Sequence, residues 1–124
     1  MNALGIHLLL ELRECDEHLL DDLTYIRDVL VRTAVEAGAT IVGEAFHKFS
    51  PRGVTGVVAI SESHMCIHTW PEFRYAAVDI FTCGTTVSPY RAAELLIERL
   101  GCQAPSISEI KRGVLLELVD SPTG

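Results

Sequence analysis

The spacing of the strand-like runs in the middle of the chain restricts its fold more than any other feature. Four runs rich in β-branched, aromatic and aliphatic residues follow one another with only a few residues between them, at 40–49, 54–60, 64–70 and 75–83. Parallel strands need crossover connections of a dozen or more residues, whereas antiparallel strands can be joined by short turns. The sequence therefore predicts a largely antiparallel sheet.

A first helix is predicted before these runs, following an opening strand over residues 5–14. Its apolar stripe recurs at helical spacing: Leu19, Leu23, Ile26, Leu30 and Ala34. Asp16 is suited to the N-cap, and Gly38 follows the stripe closely enough to end the helix. One continuous helix is expected between these two residues.

A second helix and a closing hairpin are predicted after the four runs. Pro89 suits the first turn of a helix, which should end before Gly101. Residues 106–111 and 114–119 are expected to pair as two strands around Arg112-Gly113. The expected fold class is therefore α+β, a two-layer α/β sandwich with a mostly antiparallel sheet and two helices on one face.

Length and charge limit the classes of protein that fit. With 124 residues the chain is sized for a single domain spanning 1–124, and 48% hydrophobic residues argue against disorder. A formal charge of −7 argues against general binding to nucleic acid or to an anionic membrane, and tolerates a cationic ligand. No signal or membrane-spanning segment is evident, so a cytoplasmic location with four reduced cysteines is expected.

The residues able to carry chemistry concentrate between 61 and 72, and three interpretations compete for this segment. The first is a metal-binding domain without enzymatic activity. His64, Cys66 and His68 alternate along a predicted strand and so share a face, with Cys83 as a possible fourth ligand. Neighbouring ligands would lie about 7 Å apart on a flat strand, which suits a closed tetrahedral site poorly.

The second interpretation is a hydrolase with Ser63 as nucleophile and His68 as base. It lacks a GxSxG motif and an obvious acidic residue to orient the histidine.

The third interpretation takes the bond between Glu62 and Ser63 as a site of self-cleavage. A serine hydroxyl at a tight turn can attack the preceding carbonyl to form an ester, and β-elimination then releases the upstream chain. The dehydroalanine that remains tautomerises to an imine, which water hydrolyses to a pyruvoyl group with loss of ammonia. The pyruvoyl carbonyl can form a Schiff base with an amino acid, as pyridoxal phosphate does. Ser63, a proton-transfer group such as His68 and a later proton donor such as Cys83 could fill these roles.

Several segments together resemble the bacterial and archaeal S-adenosylmethionine decarboxylase proenzymes. The central ones are ISESH at 60–64, HTWPE at 68–72 and AVDIFTCG at 77–84, with GATIV at 38–42 and FHKF at 46–49 upstream. The resemblance runs in register over roughly residues 4–84.

The resemblance implies a role for each matching residue. Cleavage between Glu62 and Ser63 would give a β chain (1–62) and an α chain (63–124) that begins with the pyruvoyl group. His68 would transfer protons during processing, and Cys83 would protonate the substrate carbon after carbon dioxide leaves. Thr55 stands where the family commonly has a serine that assists processing. Five residues would line the substrate pocket: Phe49, Met65, Ile67, Trp70 and Glu72.

The expected function is self-processing, pyruvoyl-dependent decarboxylation of S-adenosylmethionine, giving CO2 and the aminopropyl donor for spermidine synthesis. The resemblance implies a dimer of αβ units and neither a metal nor pyridoxal phosphate. A pyruvoyl-dependent arginine or ornithine decarboxylase on the same scaffold is the nearest alternative. Phe49 and Glu72, matched to adenine stacking and ribose binding, argue against it because those substrates lack adenosine.

Overall fold

The computed structural model describes residues 3–61 and 63–115, which form six strands, three α-helices and one short 3-10 helix. In chain order these are β1 (Ala3–Arg13), α1 (Glu17–Leu20), α2 (Leu23–Glu36), β2 (Ile41–Lys48), β3 (Val54–Ile60), β4 (Ser63–Trp70), the 3-10 helix (Pro71–Phe73), β5 (Tyr75–Cys83), α3 (Pro89–Arg99) and β6 (Ala104–Val114). No helix in these two ranges is long and apolar enough to cross a membrane.

All six strands form one sheet in the order β2-β3-β4-β5-β1-β6, and each neighbouring pair is antiparallel. The predicted α+β class and antiparallel sheet are confirmed. Alternate strand residues such as Leu8, Met65 and Ile80 are buried against the helices, where Leu30 and Leu96 complete the core. The other face of the sheet has no described element over it. We call it the open face; its side chains include His7, His64, Cys66, His68, Trp70, Asp79 and Phe81.

The prediction of one continuous helix between Asp16 and Gly38 is wrong, because the chain forms α1 and α2 instead. The break lies at Asp22, whose carboxylate accepts a hydrogen bond from the Tyr25 backbone N–H at 3.0 Å and so starts a new helix. Gly38 does end α2: it lies just past the C-cap with φ of 102°, a conformation that favours glycine.

The predicted closing hairpin is also wrong where the structure can test it. Arg112 and Gly113 lie inside β6, which continues to Val114 and pairs with β1 throughout. Gly113 has φ of 71°, and a Cβ there would lie 2.7 Å from the Leu4 Cβ. Glycine at this position therefore allows the two strands to approach closely and does not form a turn. Residues 116–119 of the predicted second strand lie outside the described residues.

Candidate active site

Ser63 and Cys83 lie together at one end of the sheet. Ser63 begins β4, directly after Glu62, which lies outside the described residues. The Cys83 backbone N–H, at the end of β5, donates a hydrogen bond of 3.2 Å to the Ser63 hydroxyl oxygen. Both residues are partly buried, and Cys83 borders a cavity of about 210 Å³. The structure thus brings together two of the three predicted catalytic residues.

His68 and Thr55 lie on the open face nearer the other end of β4. They are direct partners in the β3/β4 ladder, and the Thr55 Oγ1 lies 3.0 Å from the His68 Nδ1. A cavity of about 420 Å³ beside them is lined by Phe49, Arg52, Thr55, His68, Thr69, Trp70 and Glu72. Five of the residues predicted for processing or substrate binding therefore meet in this second cavity.

His68 and Ser63 of the same chain are not in contact. The two residues lie five positions apart on the same strand, which corresponds to about 16 Å at the usual rise of a strand. A proton transfer needs hydrogen-bond contact or one intervening water. Within a single chain, His68 therefore cannot reach the Ser63 hydroxyl.

Met65 and Ile67, two of the positions predicted to line the substrate pocket, have side chains that face the helices. Their exposed fractions are 0% and 1%, because both side chains face the helices, on the side of the sheet opposite His68. Neither residue borders the two cavities described above. Their role in substrate binding stays a prediction.

Exposed aromatic rings stand at the mouth of the larger cavity. Phe49 and Trp70 are 46% and 40% exposed, and Trp70 packs against the Tyr75 ring with 5.4 Å between centroids. The His47 ring meets Phe49 edge-on at 4.5 Å. Such faces attract planar rings and cations, and Glu72 adds a carboxylate to the same wall.

The loop that carries Phe49 is held by Asp21, a residue that the sequence did not single out. The Asp21 Oδ1 accepts hydrogen bonds from the Gly53 backbone N–H at 2.9 Å and from the Lys48 ammonium at 3.0 Å. These contacts lower the pKa of the Asp21 carboxyl below its ordinary value. The Gly53 contact joins residues 32 positions apart, so only the folded chain reveals it.

Further polar groups lie on the open face over β5, β1 and β6. The His7 Nε2 lies 3.2 Å from the Asp79 Oδ1, and the Arg112 guanidinium lies 3.3 Å from the His7 Nδ1. Burial, and to a lesser extent the charge of Asp79, raises the pKa of the Cys66 thiol. His64 and Cys66 share the face with His68 as predicted, but the described residues contain no group of three or more possible metal ligands. The metal-binding alternative therefore has no support from the described part of the chain.

A family-level sequence comparison matches residues 6–113 to S-adenosylmethionine decarboxylase. The chain belongs to this family. Among curated relatives, the S-adenosylmethionine decarboxylase proenzyme of Thermodesulfovibrio yellowstonii is 52% identical over 115 residues, covering 93% of this chain and 85% of the relative. The proenzyme of Carboxydothermus hydrogenoformans is 54% identical over 117 residues, covering 94% and 92%.

A solved structure agrees with the sequence relatives. The crystal structure of the adenosylmethionine decarboxylase from Aquifex aeolicus superimposes with a TM-score of 0.88 at 34% sequence identity. The match covers 94% of this chain and 97% of the other. The fold and the sequence therefore place the chain in the same family over nearly its whole length.

Proposed function

We propose that this protein is a self-processing S-adenosylmethionine decarboxylase that converts Ser63 to a pyruvoyl group and releases decarboxylated S-adenosylmethionine and CO2. One observation carries the proposal furthest. In a chain whose relatives are named proenzymes, the Ser63 hydroxyl lies at the start of β4, directly after the proposed scissile bond, and contacts the backbone of Cys83. Cleavage between Glu62 and Ser63 would give a β chain of residues 1–62 and an α chain of residues 63–124.

The residues at this end of the sheet fit such a group. The Cys83 backbone N–H already donates a hydrogen bond to the Ser63 side-chain oxygen. After processing, it can donate a hydrogen bond to an oxygen atom at the same end of the sheet. When present, the pyruvoyl carbonyl supplies the electron sink that decarboxylation of an amino acid requires. The Cys83 thiol is partly buried, and it would return a proton to the substrate carbon once CO2 has left.

A dimer accounts for the distance between His68 and Ser63. Suppose that two copies pack with their open faces together, related by a two-fold axis that lies between the two sheets and is perpendicular to β4. The β4 strand of the partner then runs in the opposite direction. The His68 end of one copy then lies over the Ser63 end of the other, at the usual spacing of about 10 Å between packed sheets. Exposed apolar side chains on this face, including Val57 and Trp70, support such packing. We therefore propose that each site combines Ser63 and Cys83 of one chain with Thr55 and His68 of the other.

The larger cavity suits S-adenosylmethionine better than a simple amino acid. The Phe49 and Trp70 rings can stack on adenine and attract the sulfonium cation, and the Glu72 carboxylate can accept hydrogen bonds from ribose hydroxyls. The formal charge of −7 also favours a cationic substrate. We place the enzyme in the cytoplasm, because the proposed role of Cys83 requires a reduced thiol.

A carbon dioxide release assay tests the proposed activity. S-adenosylmethionine, arginine and ornithine, each labelled at the carboxyl carbon, are offered to the wild-type protein, Ser63→Ala and Cys83→Ala. We expect CO2 from S-adenosylmethionine alone, none from Ser63→Ala, and a processed but weakly active Cys83→Ala. Equal release from arginine or ornithine, or full activity in Ser63→Ala, would overturn the proposal.

A further inference from the structure

Two cysteines that the proposed reaction does not use lie beside each other at the end of the β1/β6 ladder. The last pair of this ladder is Arg13 with Ala104, and the regular pairing ends there because the next residue, Glu14, has φ of 56°. The Cys15 Sγ lies 3.5 Å from the Leu12 carbonyl oxygen, and the Cys102 Sγ lies 3.1 Å from the Arg13 carbonyl oxygen. Both thiols therefore contact neighbouring carbonyl groups at the end of β1.

Backbone hydrogen bonds keep the two segments adjacent beyond the ladder. The Gln103 N–H donates to the Glu14 carbonyl oxygen at 3.2 Å, and the Asp16 N–H donates to the Leu100 carbonyl oxygen at 3.1 Å. These bonds flank the two cysteines on both sides. The segments around Cys15 and Cys102 therefore stay together in the folded chain without a covalent link.

The two thiols differ in exposure. Cys15 is completely buried, whereas Cys102 is partly exposed, with its Sγ 3.1 Å from the Arg13 carbonyl oxygen. Burial, together with the neighbouring Cys102 thiol, raises the pKa of Cys15 to about 12. Because Cys102 is the more exposed of the two, a small oxidant can reach it first, and Cys15 is the second thiol.

We propose that Cys15 and Cys102 form a reversible disulfide that covalently joins the two chains of the processed protein. Cys15 lies before the proposed cleavage point and Cys102 after it. The disulfide itself depends only on the fold, whereas its role as a link between chains rests on the proposed function. Reduction would return the two chains to noncovalent association.

The chemistry requires a low-molecular-weight disulfide such as oxidised glutathione. The Cys102 thiolate attacks one sulfur of it, forming a mixed disulfide and expelling one glutathione thiolate, which takes up a proton. Cys15 then attacks the Cys102 Sγ, and its proton passes to the second glutathione thiolate as that thiolate leaves. Two protein thiols are oxidised and one glutathione disulfide is reduced to two thiols, so atoms and electrons balance.

The first experiment does not depend on self-cleavage. Full-length Ser63→Ala protein is incubated with oxidised glutathione, its free thiols are alkylated in denaturant, and its peptides are mapped by mass spectrometry. We expect one linked peptide pair containing Cys15 and Cys102, while Cys66 and Cys83 remain alkylated. The added substitution Cys102→Ser should leave Cys15 alkylated, and the matched control Cys66→Ala should retain the link. Glutathione remaining on Cys102 with Cys15 free, or indiscriminate pairing with Cys66 or Cys83, would overturn the disulfide.

The second experiment examines the wild-type protein after the same oxidation by denaturing electrophoresis without reductant. We expect a single band near the full-length position that separates into two fragments after reduction. Two fragments without reductant would contradict the link while leaving self-cleavage intact. A single band that persists after reduction would instead contradict self-cleavage, and the peptide map would still report the disulfide.

Discussion

Thr55 and His68 face each other across the β3/β4 ladder, with 3.0 Å between the Oγ1 and the Nδ1. This contact fixes the orientation of the imidazole ring, which a proton-transfer group requires. Threonine keeps the hydroxyl of the serine that the family commonly has, and its methyl group restricts χ1. The contact observed here shows that the added methyl still allows the hydroxyl to meet the histidine.

Removing the Thr55 hydroxyl should slow self-cleavage. Thr55→Val has nearly the same shape but cannot hydrogen bond, and loss of one such bond corresponds to a rate decrease of about tenfold. Thr55→Ser, the matched control, should process at a rate near that of the wild type. The fraction of cleaved chain is followed over time by denaturing electrophoresis. Equal rates for Thr55→Val and wild type would remove Thr55 from processing.

At this scale strand alternation predicted the side-chain directions along β4. Strand alternation correctly set His64, Cys66 and His68 on one face. The same alternation sets Met65 and Ile67 on the opposite face, and the structure buries them beneath the helices. That these two positions line the substrate pocket stays a prediction from the family resemblance.

At the scale of elements, Asp21 connects the short segment between α1 and α2 to the loop between β2 and β3. Its carboxylate holds Gly53 and Lys48, and these residues flank Phe49, whose ring stands at the cavity mouth. The helix break at Asp22 positions this carboxylate. Periodicity predicted one uninterrupted helix because the apolar stripe continues across the break. The spacing of apolar residues also carries no information about the hydrogen bond between Asp21 and Gly53, which are 32 positions apart.

Asp21→Ala should weaken substrate binding more than it slows chemistry. Without its anchor the loop holds Phe49 less firmly, so KM should rise about fivefold while kcat stays within about twofold. Asp28→Ala is the matched control, because Asp28 is an exposed carboxylate on α2 that pairs with Arg32. Steady-state kinetics of both variants measure KM and kcat. A lower kcat with unchanged KM in Asp21→Ala would contradict this role.

The same carboxylate should make stability depend on pH. The folded-state pKa of Asp21 lies below its ordinary value of 3.8, so the stabilisation is complete above that value and is lost as the pH falls through the folded-state pKa. In the uncleaved Ser63→Ala background, the difference in urea midpoint between Asp21 and Asp21→Ala should therefore be present at neutral pH and shrink at strongly acidic pH. A constant difference at all pH values would contradict a charged Asp21 as its cause.

At the scale of the whole molecule, the proposed cut divides the sheet into interleaved halves. Residues 1–62 would supply β1, β2 and β3, and residues 63–124 would supply β4, β5 and β6. In the sheet, β1 lies between β5 and β6. Neither half therefore holds a continuous sheet of its own, and separation would break three ladders between strands. The fold must form before cleavage, and the antiparallel order predicted from short connections did not reveal this interleaving.

Mixing two inactive chains should restore processing if sites are shared between copies. Ser63→Ala lacks the proposed reacting hydroxyl and His68→Ala lacks the proposed proton-transfer group, so neither should process alone. Co-expressed, they can form a mixed dimer with one complete site, combining Ser63 of one chain with His68 of the other. Denaturing electrophoresis should then show cleavage of the His68→Ala chain only. No cleavage in a verified mixed dimer would contradict the shared site.

Intact-mass measurement of the purified wild-type protein tests the central claim most directly. We predict two fragments that meet between Glu62 and Ser63, with the C-terminal fragment lighter than its serine-headed form by the mass of one ammonia. That mass reports the cut and the pyruvoyl group in one spectrum. A chain that remains whole after long incubation, or a C-terminal fragment that begins with unmodified serine, would contradict a pyruvoyl enzyme.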